Sequence, residues 1–177
     1  MTEAAPADDP QSTPPLLLHW VSVGGGRLAL THRPKLRGMS DLRAEGCVRL
    51  VTLLAPREGA ERIGALAREA GLAWTWLPLA NGQPPTGEEA WRTIERGLAT
   101  LAAHLRQGES LALHCSAGIH RTGMIAYALL RTLGNTPEQA LDAIERMRPV
   151  TRAGLTDARQ RFGDAIAAQM LLSGHDL

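Results

Sequence analysis

At 177 residues and 44% apolar content, the chain is long enough for one substantial core and calls for no second domain. A formal net charge of +1 gives no support to a nucleic-acid binder held by a broad basic surface. The two cysteines, Cys47 and Cys115, form neither a disulfide framework nor a metal-ligand pattern, so a reducing compartment is expected, with no metal and no other cofactor.

The chain opens on Glu3, Asp8 and Asp9 with four prolines among residues 6–15, the composition of a disordered tail over 1–15 ahead of a single domain over 16–177. The early apolar cluster Leu16-Leu17-Leu18 is far shorter than a signal or membrane segment, so a cytoplasmic protein without a membrane span is expected. Strand-like runs over 17–23 and 27–31 flank Gly24-Gly25-Gly26 as a hairpin-like start. A short helix over 36–45, a buried strand over 47–55 and a helix over 59–70 follow. The next strand, 73–79, carries Trp74 and Trp76 on one face by two-residue alternation, and an amphipathic helix over 88–106 places Trp91 where it would cover that face. A short apolar strand, 110–113, leads into a glycine-containing loop and an apolar helix over 124–133. Thr136-Pro137-Glu138-Gln139 then reads as a capping box opening a helix to residue 148, Pro149 stops it, and a last helix spans about 155–171. This alternation predicts an α/β fold with a central, mostly parallel sheet of about five strands flanked by helices.

The stretch His114-Cys115-Ser116-Ala117-Gly118-Ile119-His120-Arg121-Thr122-Gly123 joins the end of that strand to a helix N-terminus. Backbone N–H groups of Ser116, Ala117, Gly118, Ile119, His120 and Arg121 then converge on one point, which favours an anion there, whether a thiolate or a phosphoryl group. The same environment lowers the pKa of Cys115 and makes it a thiolate nucleophile. Arg121 supplies a planar fork for two phosphoryl oxygens, Gly118 permits the tight turn, Thr122 is placed to hydrogen-bond the sulfur, and His114 braces the strand end from behind.

At these residues the chain resembles the cysteine-based protein tyrosine and dual-specificity phosphatases, whose signature is His-Cys, five residues, Arg, then Ser or Thr. The order of elements is also similar to that of the compact dual-specificity phosphatases over roughly residues 17–170. The resemblance implies a phosphomonoesterase that works through a phosphocysteine on phosphotyrosine, phosphoserine or phosphothreonine of proteins, or else on phosphoinositides or inositol (pyro)phosphates. A monomer with no partner beyond its phosphorylated substrate is expected. Low-molecular-weight tyrosine phosphatases, with an N-terminal loop, and rhodanese-like sulfurtransferases, which do not call for this Arg and Thr, fit poorly.

In the family an aspartate upstream of the cysteine protonates the leaving group. The matching loop here, Pro78-Leu79-Ala80-Asn81-Gly82-Gln83-Pro84-Pro85, looks like the Pro-x-x-Asp-Gly loop of the kinase-associated and related phosphatases, but Asn81 takes the place of the aspartate. Three readings follow. Another group is the acid, either Glu88 or Glu89, or His120, since the loop also resembles the Gly-x-His-Arg-Thr-Gly loop of plant and fungal atypical dual-specificity phosphatases. Alternatively the natural leaving group needs little help, or the domain is a phospho-binding pseudophosphatase. Trp74, Trp76 and Trp91 read as core or as pocket lining. The basic stretch Arg146, Arg148, Arg152, Arg159 and Arg161 reads as a solvated face, or, through Arg152 in the turn 151–154, as a site for a second phosphate.

Overall fold

The computed structural model describes residues 16–173; the tail expected over 1–15 and the last four residues lie outside the described residues. Among the described residues five strands form one sheet: β1 (Val21–Val23), β2 (Gly26–Thr31), β3 (Arg49–Thr52), β4 (Ala73–Trp76) and β5 (Ser110–His114), in the order β1-β2-β5-β3-β4. β1 pairs antiparallel with β2, and every other pairing is parallel, as the alternating pattern predicts. The β1–β2 hairpin closes over Gly24 and Gly25, whose φ values of 63° and 99° suit the twist of a two-residue turn.

Seven helices among the described residues flank the sheet: α1 (Leu36–Ala44), α2 (Ala60–Glu69), α3 (Glu88–Arg106), α4 (His120–Thr132), α5 (Pro137–Met147), α6 (Pro149–Ala153) and α7 (Asp157–Leu172). Strand alternation sorts them. Ala29, Leu50 and Ala112 point to one face, where Met39, Leu42, Ile63 and Ala67 of α1 and α2 cover them together with Cys47. Leu28, Leu30, Val51, Leu111 and Leu113 point to the other, under α3, α4, α5 and α7, and Cys115 packs with this second cluster. The chain moves from β2 to β3 to β4 in one direction and returns from β4 to β5 in the other. Right-handed crossovers in opposite directions place α1 and α2 on one face and α3 on the opposite one.

That reversal corrects the expectation for Trp91. Trp74 and Trp76 do share a face, stacked with centroids 5.8 Å apart, but Trp91 lies across the sheet from them and meets Phe162 edge-on at 5.1 Å. Several strands are shorter than the apolar runs that contain them: 47–48, 53–55 and 77–79 are largely buried and keep single backbone bonds to their neighbours, such as Leu53 N–H to His114 C=O and Leu77 N–H to Thr52 C=O, both 3.0 Å, without a regular ladder. The Thr136–Gln139 capping box forms as predicted, with Gln139 N–H to Thr136 Oγ1 at 3.2 Å and Thr136 N–H to Gln139 Oε1 at 2.9 Å. Pro149 ends α5 but also opens α6, since a proline suits the first turn of a helix as well as it disrupts an interior; Arg152 is therefore helical, not in a turn.

α4 runs through the second cluster with nearly every residue buried, and α7 is its main neighbour. Their contact depends on Gly163: a Cβ there would come within 2.5 Å of the Tyr127 ring, which is itself fixed by a 3.0 Å bond from its hydroxyl to Asp164. Gly163→Ala gains about 1 kcal/mol of helix propensity, while overpacking against a ring that cannot yield costs about 1–3 kcal/mol. A net loss of stability is expected, read as a lower denaturation midpoint; an unchanged or higher midpoint would show the α4–α7 contact to be loose.

Candidate active site

The four parallel strands end in one row, with Thr31 beside His114 and His114 beside Thr52, which is itself beside Trp76. The segments that leave these ends gather at one edge of the sheet, beside the point where the strand order reverses, as in open α/β sheets generally. They are 31–33, 55–58, 77–82 and the loop from Cys115 to Arg121.

The loop is built by turning its carbonyls outward. Cys115 C=O accepts from His114 Nδ1 (2.9 Å) and Ser116 C=O from the Arg33 N–H (2.9 Å). Gly118 C=O accepts from Thr151 Oγ1 (2.5 Å) and Arg148 Nη1 (2.9 Å), and Ile119 C=O from the Gly123 N–H (2.8 Å). Because a trans peptide directs its N–H opposite to its C=O, the following amides face inward. Gly118 has φ 69° and lies so close to 31–32 that a Cβ would fall on the Thr31 carbonyl oxygen and 2.8 Å from His32 N, so only glycine fits.

Cys115 lies at the centre of these amides, 3% exposed. Burial alone would raise its pKa; hydrogen bonds from the Thr122 hydroxyl and from the N–H groups of Thr122, Ile119 and Gly118 outweigh it, and the net shift is downward. Thr122 Oγ1 is buried without a regular partner otherwise, which leaves its hydroxyl to the sulfur. Cys47 is the contrast: burial pushes its thiol up to about 11.

Arg121 is held by a residue the sequence reading did not single out. Its Nη1 and Nη2 donate to the two carboxylate oxygens of Glu58 at 2.5 and 2.8 Å, a bidentate pair, while Nη1 also reaches Leu79 C=O (3.1 Å) and Nη2 reaches Ser116 Oγ (3.2 Å). Glu58 sits in the 3₁₀ turn Pro56–Glu58 after β3, folded back so that Oε2 accepts from Ala55 N–H at 2.7 Å. The Arg121 hydrogen bonds hold its carboxyl down at about 2, so it is ionised and has no proton to give. The available signal was position: a carboxylate just past the end of a buried parallel strand, at the edge where ligands gather.

His114 is fully buried, and burial pushes its pKa down to about 4; it lies between Cys115 C=O and Thr52 Oγ1 (2.8 Å). The segment carrying Asn81 lies against the loop. Leu79 C=O touches Arg121, a Cβ on Gly82 would meet His120 Cβ at 2.6 Å, and Arg159 ties Gly82 C=O (2.6 Å) to Gly154 C=O (2.7 Å). Arg159 is thus not part of a solvated face: it is 6% exposed and serves as the clamp of this segment. Asn81 is exposed, and its Oδ1 accepts from the Gln83 N–H at 2.9 Å. His120 is exposed beside Gly82 and Gly154. Glu88 and Glu89 share with Asn81 the lining of an open cleft of about 750 Å³, but Glu88 is engaged by Arg92 and neither bonds to the loop. Burial lowers the pKa of His32, and the nearby charges of Arg148 and Lys35 lower it further.

The Glu58 carboxyl titrates at about 2 in the folded protein against 4.5 when free, so the pair stabilises the fold fully above pH 4.5 and that contribution is lost as pH falls toward 2. Glu58→Gln is expected to lower the denaturation midpoint near neutral pH, with the deficit closing across that acid window. By freeing the Arg121 fork it should also cut kcat/KM by about 10²-fold. A midpoint deficit that persists at acid pH, or undiminished turnover, would refute the pair's role.

The chain is similar in structure to kinase associated phosphatase (KAP) bearing a serine in place of its catalytic-site cysteine (TM-score 0.72, 17% identity, 90% of this chain and 98% of that one). It is also similar to PTPMT1 in complex with PI(5)P (TM-score 0.64, 16% identity, 88% and 98%) and to human DUSP28 (TM-score 0.62, 17% identity, 89% and 100%). At such identities the likeness is one of fold, and among curated proteins none matches in sequence. Residues 25–134, more than half of the chain and including Glu58, Asn81 and the whole loop, match the family described as Tc-R-P, polymorphic toxin system, DSP-PTPase phosphatase. The chain belongs to this family and is a cysteine-based phosphatase of the compact dual-specificity kind.

Proposed function

We propose that Cys115 is the nucleophile of a two-step, metal-independent phosphomonoesterase. The single observation that carries this is the buried Cys115 thiol, its pKa lowered by the Thr122 hydroxyl and inward N–H groups, beside an arginine held in orientation by Glu58. In the first step the thiolate forms the S–P bond as the P–O bond breaks, and the leaving oxygen takes a proton. In the second, water adds to phosphorus, the S–P bond breaks and the thiolate returns. The loop amides and Arg121 hold the phosphoryl oxygens through both steps, supplying the charge neutralisation that a metal ion would otherwise bring.

His120 is our choice for the proton donor and, in the second step, the acceptor. Glu58 is ionised, Glu88 is engaged elsewhere, and Asn81 has no proton of this kind, whereas His120 stands at the junction of the two loops. Phosphorylated side chains of proteins are the substrates we favour, because the site opens at the exposed Ser116, Ala117 and His120 and continues into the cleft beside Asn81. The positive charges of Lys35 and Arg148 beside His32 favour a second reading, a multiply phosphorylated small molecule such as a phosphoinositide or inositol pyrophosphate. A reducing cytoplasm, in which a low-pKa thiol survives, is the compartment that suits this chemistry, and the family description supports action as the enzymatic domain of a polymorphic toxin system.

Phosphate release from phosphopeptides, phosphoinositides and inositol pyrophosphates tests the reading. Cys115→Ser is expected to abolish release while keeping affinity for oxyanions; residual turnover would remove Cys115 as nucleophile, and a wild-type chain that binds but never releases phosphate would mark a phospho-binding module. His120→Asn should cost about 10²–10⁴-fold on phosphothreonine peptides and far less on an activated aryl phosphate. Asn81→Asp should raise turnover, since the Asx turn to Gln83 persists and an acid is added; equal losses on both substrates for His120→Asn would remove it as the acid.

A further inference from the structure

The row of strand ends carries a hydrogen-bond chain that crosses three strands. Trp74 Nε1 donates to Thr52 Oγ1 (2.9 Å), Thr52 Oγ1 lies 2.8 Å from His114 Nε2, and His114 Nδ1 lies 2.9 Å from the Cys115 carbonyl oxygen. Thr52 and His114 are both fully buried.

Donor inventory fixes the direction of every link. An indole N–H only donates and a carbonyl oxygen only accepts. His114 therefore needs its proton on Nδ1, because a bare Nδ1 would set a lone pair against the Cys115 oxygen. With burial holding the imidazole neutral, Nε2 carries no proton and accepts a hydrogen bond from the Thr52 hydroxyl, whose oxygen is already receiving the Trp74 N–H. Reversing any link leaves two donors or two acceptors facing each other.

We propose that Thr52 on β3 and Trp74 on the outermost strand, β4, are positioning residues for Cys115, fixing the tautomer of His114 and so the Cys115–Ser116 peptide. The inference rests on the reading of Cys115 as nucleophile. A donor at the end of such a chain is polarised by the links behind it. The peptide whose C=O it engages carries the Ser116 N–H on its other side, turned into the loop, so polarising that carbonyl strengthens one of the dipoles whose positive ends surround the sulfur. Trp74 is a firm origin for the chain: its ring stacks on Trp76, whose own Nε1 holds Leu54 C=O at 2.8 Å, and Arg68 lies over it 4.8 Å from the centroid. Arg33, His32 and Arg121 act on His114 through their charges, and Arg121 and Arg148 on Cys115; substitutions at Thr52 and Trp74 leave all of these in place.

The test is the pH profile of Cys115 alkylation by iodoacetamide, in which Cys47, with its thiol pushed up to about 11, stays silent. Thr52→Val should move the midpoint upward by about half a unit or more, roughly threefold slower alkylation on the acid side. Thr52→Ser should restore the wild-type profile, and Trp74→Phe should shift it in the same direction by less. An unmoved midpoint in Thr52→Val, or a Thr52→Ser profile as displaced as that of the valine variant, would overturn the proposal. Should Thr52→Val fail to fold, the ring nitrogen shifts of His114 in the unaltered chain decide: protonated Nδ1 with bare Nε2 is expected, and a proton on Nε2 refutes the chain. Alkylation of wild-type Cys115 that left phosphate release intact would instead defeat the nucleophile reading, whatever the tautomer of His114.

Discussion

A backbone nest for an anion is possible only if the carbonyls of the same peptides are carried away from it and satisfied elsewhere, since each peptide plane fixes donor and acceptor on opposite sides. Much of this fold answers that demand. β5 delivers His114 to the first carbonyl, and the segment after β2 gives the second an N–H. The junction of α5 with α6 gives Gly118 both Arg148 and Thr151, and α4 takes Ile119 into its own ladder. An orphaned buried carbonyl costs about 1–3 kcal/mol, so these partners decide whether the loop holds its shape without a ligand.

Charge is arranged on the same principle. A thiolate, an arginine and a bound phosphoryl group would be poorly ordered if the guanidinium were free to follow whichever anion came nearer. Glu58 removes that freedom by taking both Nη atoms, and five donors leave Arg121 enough to serve Leu79, Ser116 and the centre of the loop as well. Arg159 does for the Asn81 segment what Glu58 does for Arg121: a buried side chain with two backbone carbonyls sets one loop against another.

What was legible in the sequence was what is local in it. Residues 114–123 are contiguous, and their types at that spacing between a strand and a helix define the nest before any fold is known; the capping box at Thr136 and the hairpin glycines are local in the same sense. Glu58 was not legible because its partner lies 63 residues away and nothing in Pro56-Arg57-Glu58 distinguishes a site carboxylate from a polar turn. The side of the sheet reached by Trp91 was hidden for a different reason: it follows from β5 inserting between β2 and β3, a fact of strand order that periodicity does not carry. α6 was masked by Pro149, which reads equally as a stop and as a first turn.

The placement of the two cysteines has a consequence for how oxidative damage is undone. Cys47 precedes β3 on one face and Cys115 follows β5 on the other, and the β3–β5 register, Arg49 beside Leu111, sets them six residue steps apart along the sheet, roughly 20 Å. A disulfide needs α-carbons within about 7 Å. Once peroxide has carried Cys115 to the sulfenic acid, Cys47 lies too far away to resolve it. Recovery then belongs to the surrounding thiol pool, and the rate at which the protein returns from oxidation becomes a property of its host compartment.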